Sequence, residues 1–190
     1  MQVPKRHLPV VGLLGLVVIA AAGGGIYYYA YVAPPNTSCG TASHRLFFMT
    51  AVIFELGGFQ ITNGAYLNQT TAPTFNATTG PSLVGVKHQN YTAPSDQKTI
   101  NAIVGDTITL YIYGVNANDP RQFSSIAGHG FTVSPSVSVE SGTMPGTIPL
   151  GKWYTVTFTV TQAGTYSYFC TIPCSNGHGN MTGSMVVSCG

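Results

Sequence analysis

The sequence predicts a mainly β chain behind one N-terminal transmembrane helix, with the β part folded as a Greek-key sandwich. Three observations carry this reading. From Leu8 to Ala33 no residue is charged, a run longer than the roughly 20 residues that a bilayer core requires. Beyond it, short alternating runs rich in β-branched and aromatic residues recur between Gly, Pro and Asn turns. No apolar periodicity of the helical kind follows the first run. Several short strands at turn-punctuated spacing fit a two-sheet sandwich.

The chain bears this out element by element. Lys5, Arg6 and His7 flank the apolar run, which places the N-terminus on the cytoplasmic side and the rest outside. Tyr27, Tyr28, Tyr29 and Tyr31 fall at its outer end, where an aromatic belt belongs. A cleaved signal peptide, with Ala20, Ala21 and Ala22 as its small-residue site, is the competing reading. The length of the apolar run favours a retained anchor over residues 1–33.

Residues 34–99 read as an extracytoplasmic linker and a variable β/loop region. Pro34 to Ser43 is a polar linker holding Cys39, and Leu46 to Leu56 is an apolar strand or buried connection. Gly57 to Lys98 is rich in Gly, Asn, Thr and Pro, with short strands expected at Phe59 to Thr62 and Leu83 to Lys87. Sequons at Asn36, Asn68, Asn76 and Asn90 fit a glycosylated exterior, whereas a fifth at Asn180 lies in a loop expected to stay unmodified.

Residues 100–190 carry the densest strand pattern. Ile100 to Val104 leads through Gly105-Asp106 into an alternating strand from Thr107 to Val115. A loop from Asn116 to Ser125 follows, then strands at His129 to Val133 and Val137 to Glu140, and a turn at Met144-Pro145-Gly146. Tyr154 to Val160, Gly164 to Phe169 and Gly183 to Val187 close the set. Charged residues are 6% of the chain and the net charge is +2, so no basic field argues for nucleic acid.

One loop, between the last two strands, carries the chemistry. Cys170, Cys174, His178 and Met181 are spaced C-x3-C-x3-H-x2-M. Two thiolates, an imidazole and a thioether form a soft donor set that selects copper over hard cations. The bland alternative is a disulfide or a pair of plain buried thiols. Four cysteines allow three pairings, and a Cys39–Cys189 staple is the one that leaves the loop pair for metal.

This loop resembles that of the CuA domain, the dinuclear copper module of subunit II of haem–copper terminal oxidases, in its ba3-like form with one membrane helix. The resemblance covers roughly Ile100 to Val187, plus the anchor by position, and implies a cupredoxin-like sandwich. It implies that Cys170 and Cys174 bridge two copper ions, with His178 and His129 as terminal nitrogens. His129 stands in Gly128-His129-Gly130-Phe131, like the family's upstream histidine at a strand start. His44 and His88 are its rivals. Met181 and the carbonyl of Ile172 would be weak axial donors, while Met185, Trp153 and the tyrosines read as core or sheet surface. Two departures stand out. The family's glutamate between the cysteines, which reaches a magnesium ion, is Ile172 here, so no magnesium is expected. The tryptophan-rich segment that receives electrons is absent.

The implied function is that of a non-catalytic electron-transfer subunit. It would accept electrons at copper from an external cytochrome or small copper protein and pass them to haem in a membrane-embedded catalytic subunit I. A membrane-anchored mononuclear cupredoxin carrier is the alternative; it leaves Cys174 unexplained. A copper-free Ig-like surface domain is the third reading.

Overall fold

A computed structural model describes residues 39–67, 73–91 and 98–189. The anchor expected over residues 1–33, with the sequons at Asn36 and Asn68, lies outside the described residues. In chain order the strands are β1 (His44–Ala51), β2 (Phe59–Leu67), β3 (Thr74–Asn76), β4 (Gly80–Ser82), β5 (His88–Tyr91), β6 (Thr99–Ile103) and β7 (Thr107–Gly114). They continue as β8 (Gly128–Ser134), β9 (Val139–Ser141), β10 (Gly146–Pro149), β11 (Trp153–Thr159), β12 (Gly164–Phe169) and β13 (Thr182–Ser188). Single turns of 3-10 helix lie at Phe54–Leu56 and His178–Asn180. No helix among the described residues is long and apolar enough to cross a membrane.

Two sheets face each other, one ordered β5-β2-β1-β7-β11-β9 and the other β10-β8-β12-β13-β6. The pairs β1·β7 and β13·β6 are parallel and the remaining pairs antiparallel. This is the mainly β, two-sheet sandwich that the sequence predicts. Its core follows from the two-residue period of a strand. Phe47, Met49 and Ala51 of β1 and Ile108, Leu110 and Ile112 of β7 meet Phe131 and Val133 of β8, Tyr168 of β12 and Met185 and Val187 of β13.

β1 and β7 are buried on both faces. On the outer face Leu46, Ala65, Leu67 and Tyr111 form a second cluster, against which Phe48, Leu83, Val86 and Trp153 pack. The β3–β4 hairpin lies over this cluster, with Phe75 stacked on Tyr111 and the Trp153 N–H donating to the Ala77 carbonyl at 2.8 Å.

The described residues between 39 and 91 supply β1, β2 and β5 of the six-stranded sheet, and Thr37–Gly190 form one compact unit. Leu83 to Lys87 is not a strand. It is a turn between β4 and β5 that sends Leu83 and Val86 inward and leaves Val84 91% exposed. β10 is a short strand beside β8 where only the end of a turn was expected, and it carries Ile148 into the core.

Two devices join the ends of the chain. Cys39 and Cys189 form a disulfide across 150 residues of sequence, linking the approach to β1 in one sheet with the end of β13 in the other. Asp106, fully buried in the β6–β7 turn, accepts from Ser43 N (2.8 Å), Ser43 Oγ (3.1 Å) and Ile103 N (2.8 Å) and pairs with Arg45. A buried carboxylate is tolerated when its lone pairs are filled in this way.

Candidate metal centre

Strand period alone gathers the candidate ligands. On β8, His129 shares the inward face with Phe131 and Val133. On β12 that face runs Tyr166, Tyr168 and then, one step past the strand end, Cys170. On β13 it runs back from Val187 through Met185 to Met181, just before the strand. β12 is antiparallel to both neighbours, so His129, Cys170 and Met181 arrive at the same end of the sandwich. The Cys170 N–H donates to the Met181 carbonyl at 3.0 Å and closes the mouth of the loop.

Within this end the donors converge. Single ligand atoms of His129, Cys170 and Cys174 all lie within 4.8 Å of one another, and all three residues are buried. Both cysteines are free, with their Sγ atoms 4.0 Å apart. The Met181 Sδ lies 4.0 Å from Cys174 Sγ, and the Ile172 carbonyl oxygen lies 3.1 Å from Cys170 Sγ.

The histidine shows which atom is available. Nε2 lies 3.4 Å from the Val115 carbonyl, which can only accept, so the ring proton belongs on Nε2. Nδ1 is buried and has no hydrogen-bond partner. A buried ring nitrogen with a free lone pair beside two thiols is a metal ligand's arrangement, oriented by a carbonyl on its far side. The donor set therefore fits a soft metal ion.

Electrostatics favour one anionic sulfur. The Cys170 thiol is drawn well below its ordinary pKa, first by the hydrogen bond with Cys174 and then, against burial, by further hydrogen bonds at its sulfur, that of the Gly130 N–H among them. That N–H lies 3.3 Å from Cys170 Sγ. Cys174 is pushed up, first by the same bond with Cys170 and then by burial. Gly130 is required here, because a Cβ on it would come within 2.5 Å of the Thr171 backbone nitrogen.

His178 stands apart. It is half-buried in the second 3-10 turn, and no nitrogen of its ring lies within 4.8 Å of all three converging atoms. The rival His44 is bonded to Thr109 Oγ1 at 2.8 Å and lies outside the cluster. Met185 is core and Trp153 belongs to the outer cluster.

The loop is also braced from outside. The Phe123 N–H donates to the Cys174 carbonyl at 3.0 Å, and Glu55 Oε1 accepts from the Gly177 N–H at 3.1 Å. Glu55 was not singled out by sequence. It is a lone acid in an apolar run, 122 residues from its partner, and no local motif marks it.

No family model matches this sequence, and no curated protein matches it. Among solved structures it is similar to a reduced Cu(I) form of an amicyanin variant, with 26% identity over 50% of this chain and 72% of that chain and a TM-score of 0.30. It is also similar to auracyanin B, with 19% identity over 48% of this chain and 78% of that chain and a TM-score of 0.32.

Proposed function

We propose that this chain is the electron-accepting subunit of a haem–copper terminal oxidase, holding two copper ions at the end of the sandwich. The observation that carries the reading is the pair of free, buried cysteines with sulfurs 4.0 Å apart beside the unpartnered Nδ1 of His129. A mononuclear site uses one thiolate and leaves the second buried thiol without a role, whereas a metal pair uses both.

Copper bound there would supply one-electron exchange. The chain's own residues do the rest. Cys170 and Cys174 offer two soft sulfur donors from one loop. His129 offers Nδ1 from a fully buried strand position, with its other nitrogen facing the Val115 carbonyl. Met181 and the Ile172 carbonyl would be weaker donors to copper, and His178, outside the converging three, would supply a second nitrogen. Burial of His129, Cys174 and Met181 at 0% exposure keeps water from the donors. The N-terminal segment would anchor the sandwich on the outer face of the cell membrane, where a cytochrome or small copper protein delivers electrons for haem in a catalytic subunit.

A membrane-tethered mononuclear carrier is the second reading. It is favoured by one observation, that His178 does not join the converging three. Copper analysis of the thiol-intact chain and of Cys174→Ser separates the two. The dinuclear reading expects about two ions per chain in the former and fewer than two in the latter. One ion in both proteins supports the mononuclear carrier.

A further inference from the structure

The geometry points to Glu55, in the loop between β1 and β2, as a positioning residue that holds the distal half of the ligand loop in place. This rests on the reading of that loop as a metal site. The β1–β2 connection touches the loop at two points. Gly58 packs against Met181, with a built Cβ 3.4 Å from Met181 Cγ. Three residues earlier Glu55 Oε1 accepts the Gly177 N–H at 3.1 Å.

The Gly177 contact falls in the three-residue span Ser175–Gly177, between the expected ligands Cys174 and His178. A Cβ at Gly177 would sit 2.8 Å from Phe54 Cδ1 and 3.0 Å from Glu55 Oε1, so the Phe54 and Glu55 side chains must shift to admit one. Beside this contact Glu55 Oε2 and Ser175 Oγ, next to Cys174, are both shielded from solvent, and hydrogen bonds from its own backbone and from the loop, Ser175 and Gly177 among them, hold the Glu55 carboxyl below its ordinary pKa. The connection that carries it is itself rigid: Leu56 N–H donates to the Ile53 carbonyl at 2.9 Å, Gly57 N–H to the Phe54 carbonyl at 2.9 Å, and Ile53 is fully buried.

Glu55 thus acts through the backbone on Cys174 and His178 and is not itself a ligand. A hydrogen bond to a charged acceptor is stronger than a neutral one, so the carboxylate suits a span that must hold still while charge on the centre changes.

The experiment compares the full-length chain with Glu55→Ala, Glu55→Gln and Gly177→Ala. Amide hydrogen exchange at residue 177 is read in the metal-free protein. The visible spectrum, reduction potential and rate of copper loss to a chelator are read in the copper-loaded protein. Glu55→Ala should speed exchange at Gly177 and copper loss by roughly tenfold and move the spectrum and potential. Glu55→Gln keeps a neutral acceptor at Oε1 and should slow exchange relative to Glu55→Ala while staying faster than wild type. Gly177→Ala, which keeps the carboxylate but crowds it, should shift the spectrum in the same direction as Glu55→Ala. Unchanged exchange and spectrum in Glu55→Ala, or Gln behaving as Ala, would overturn the role of Glu55. A wild-type chain that takes up no copper would instead overturn the metal reading, with exchange at Gly177 still judging the brace.

Discussion

At the scale of single residues, the candidate metal centre is a matter of which lone pairs are left free. His129 presents Nδ1 because Val115 faces Nε2, and Val115 is held in turn by its own N–H on the Ala51 carbonyl at 2.8 Å. His44 shows the contrary case. Its Nε2 is tied to Thr109 Oγ1, which lies 2.8 Å from Thr157 Oγ1, and burial lowers its pKa below 6.5 against the attraction of Glu140. A histidine with a depressed folded pKa binds fewer protons folded than unfolded. Its effect on stability is therefore absent above about pH 6.5 and becomes a loss as pH falls through that value toward the folded pKa. Urea titrations should show the midpoint falling from pH 7 to 5, with a shallower fall in His44→Gln; equal slopes would remove His44 as the cause. The sequence distinguished these two histidines by a Gly-His-Gly-Phe strand start and its distance before the ligand loop, and it carried no trace of the Val115 carbonyl that decides the tautomer.

At the scale of elements, the ligand loop and its flanking strands were legible because their information is local. Four donors fall within twelve residues, and β12 and β13 alternate cleanly around them. β1 was harder to read because it is buried on both faces. A run such as Leu46-Phe47-Phe48-Met49 shows no period, so strand and buried connection could not be told apart. Its parallel partner β7 lies some sixty residues on, and that pairing carries β1 and β2 into the six-stranded sheet. Leu83 to Lys87 misled in the opposite sense, because its alternation seats two side chains under a turn and not along a strand. The outer cluster makes a measurable contrast. Leu46→Ala, at 0% exposure, should cost about 2–5 kcal/mol in denaturant unfolding. Val84→Ala, at 91% exposure, should stay within about 0.5 kcal/mol. Equal costs would mean that the outer cluster adds nothing to the fold.

At the scale of the whole molecule, two sheets must be held in register so that one end of the sandwich keeps its donors together. The Cys39–Cys189 bridge closes nearly the whole described chain and joins the sheets at the end of β13, with Gly40 N–H on the Cys189 carbonyl at 3.2 Å. Replacing both cysteines with serine should lower stability by about 2–5 kcal/mol, read as a fall in Tm without loss of the metal spectrum at low temperature. Loss of the spectrum in a folded double variant would show that the bridge shapes the site as well as the fold. The pairing of Cys39 with Cys189 also leaves the loop thiols free, which is what the rest of the account requires. That requirement is tested most directly by electron paramagnetic resonance of the oxidised, copper-loaded full-length chain, taken with its copper count. The account predicts two copper ions per chain and a hyperfine pattern from one unpaired electron shared equally by both nuclei. A single ion with the hyperfine pattern of one nucleus, or a chain whose Cys170 and Cys174 are joined by a disulfide and bind no copper, would contradict it.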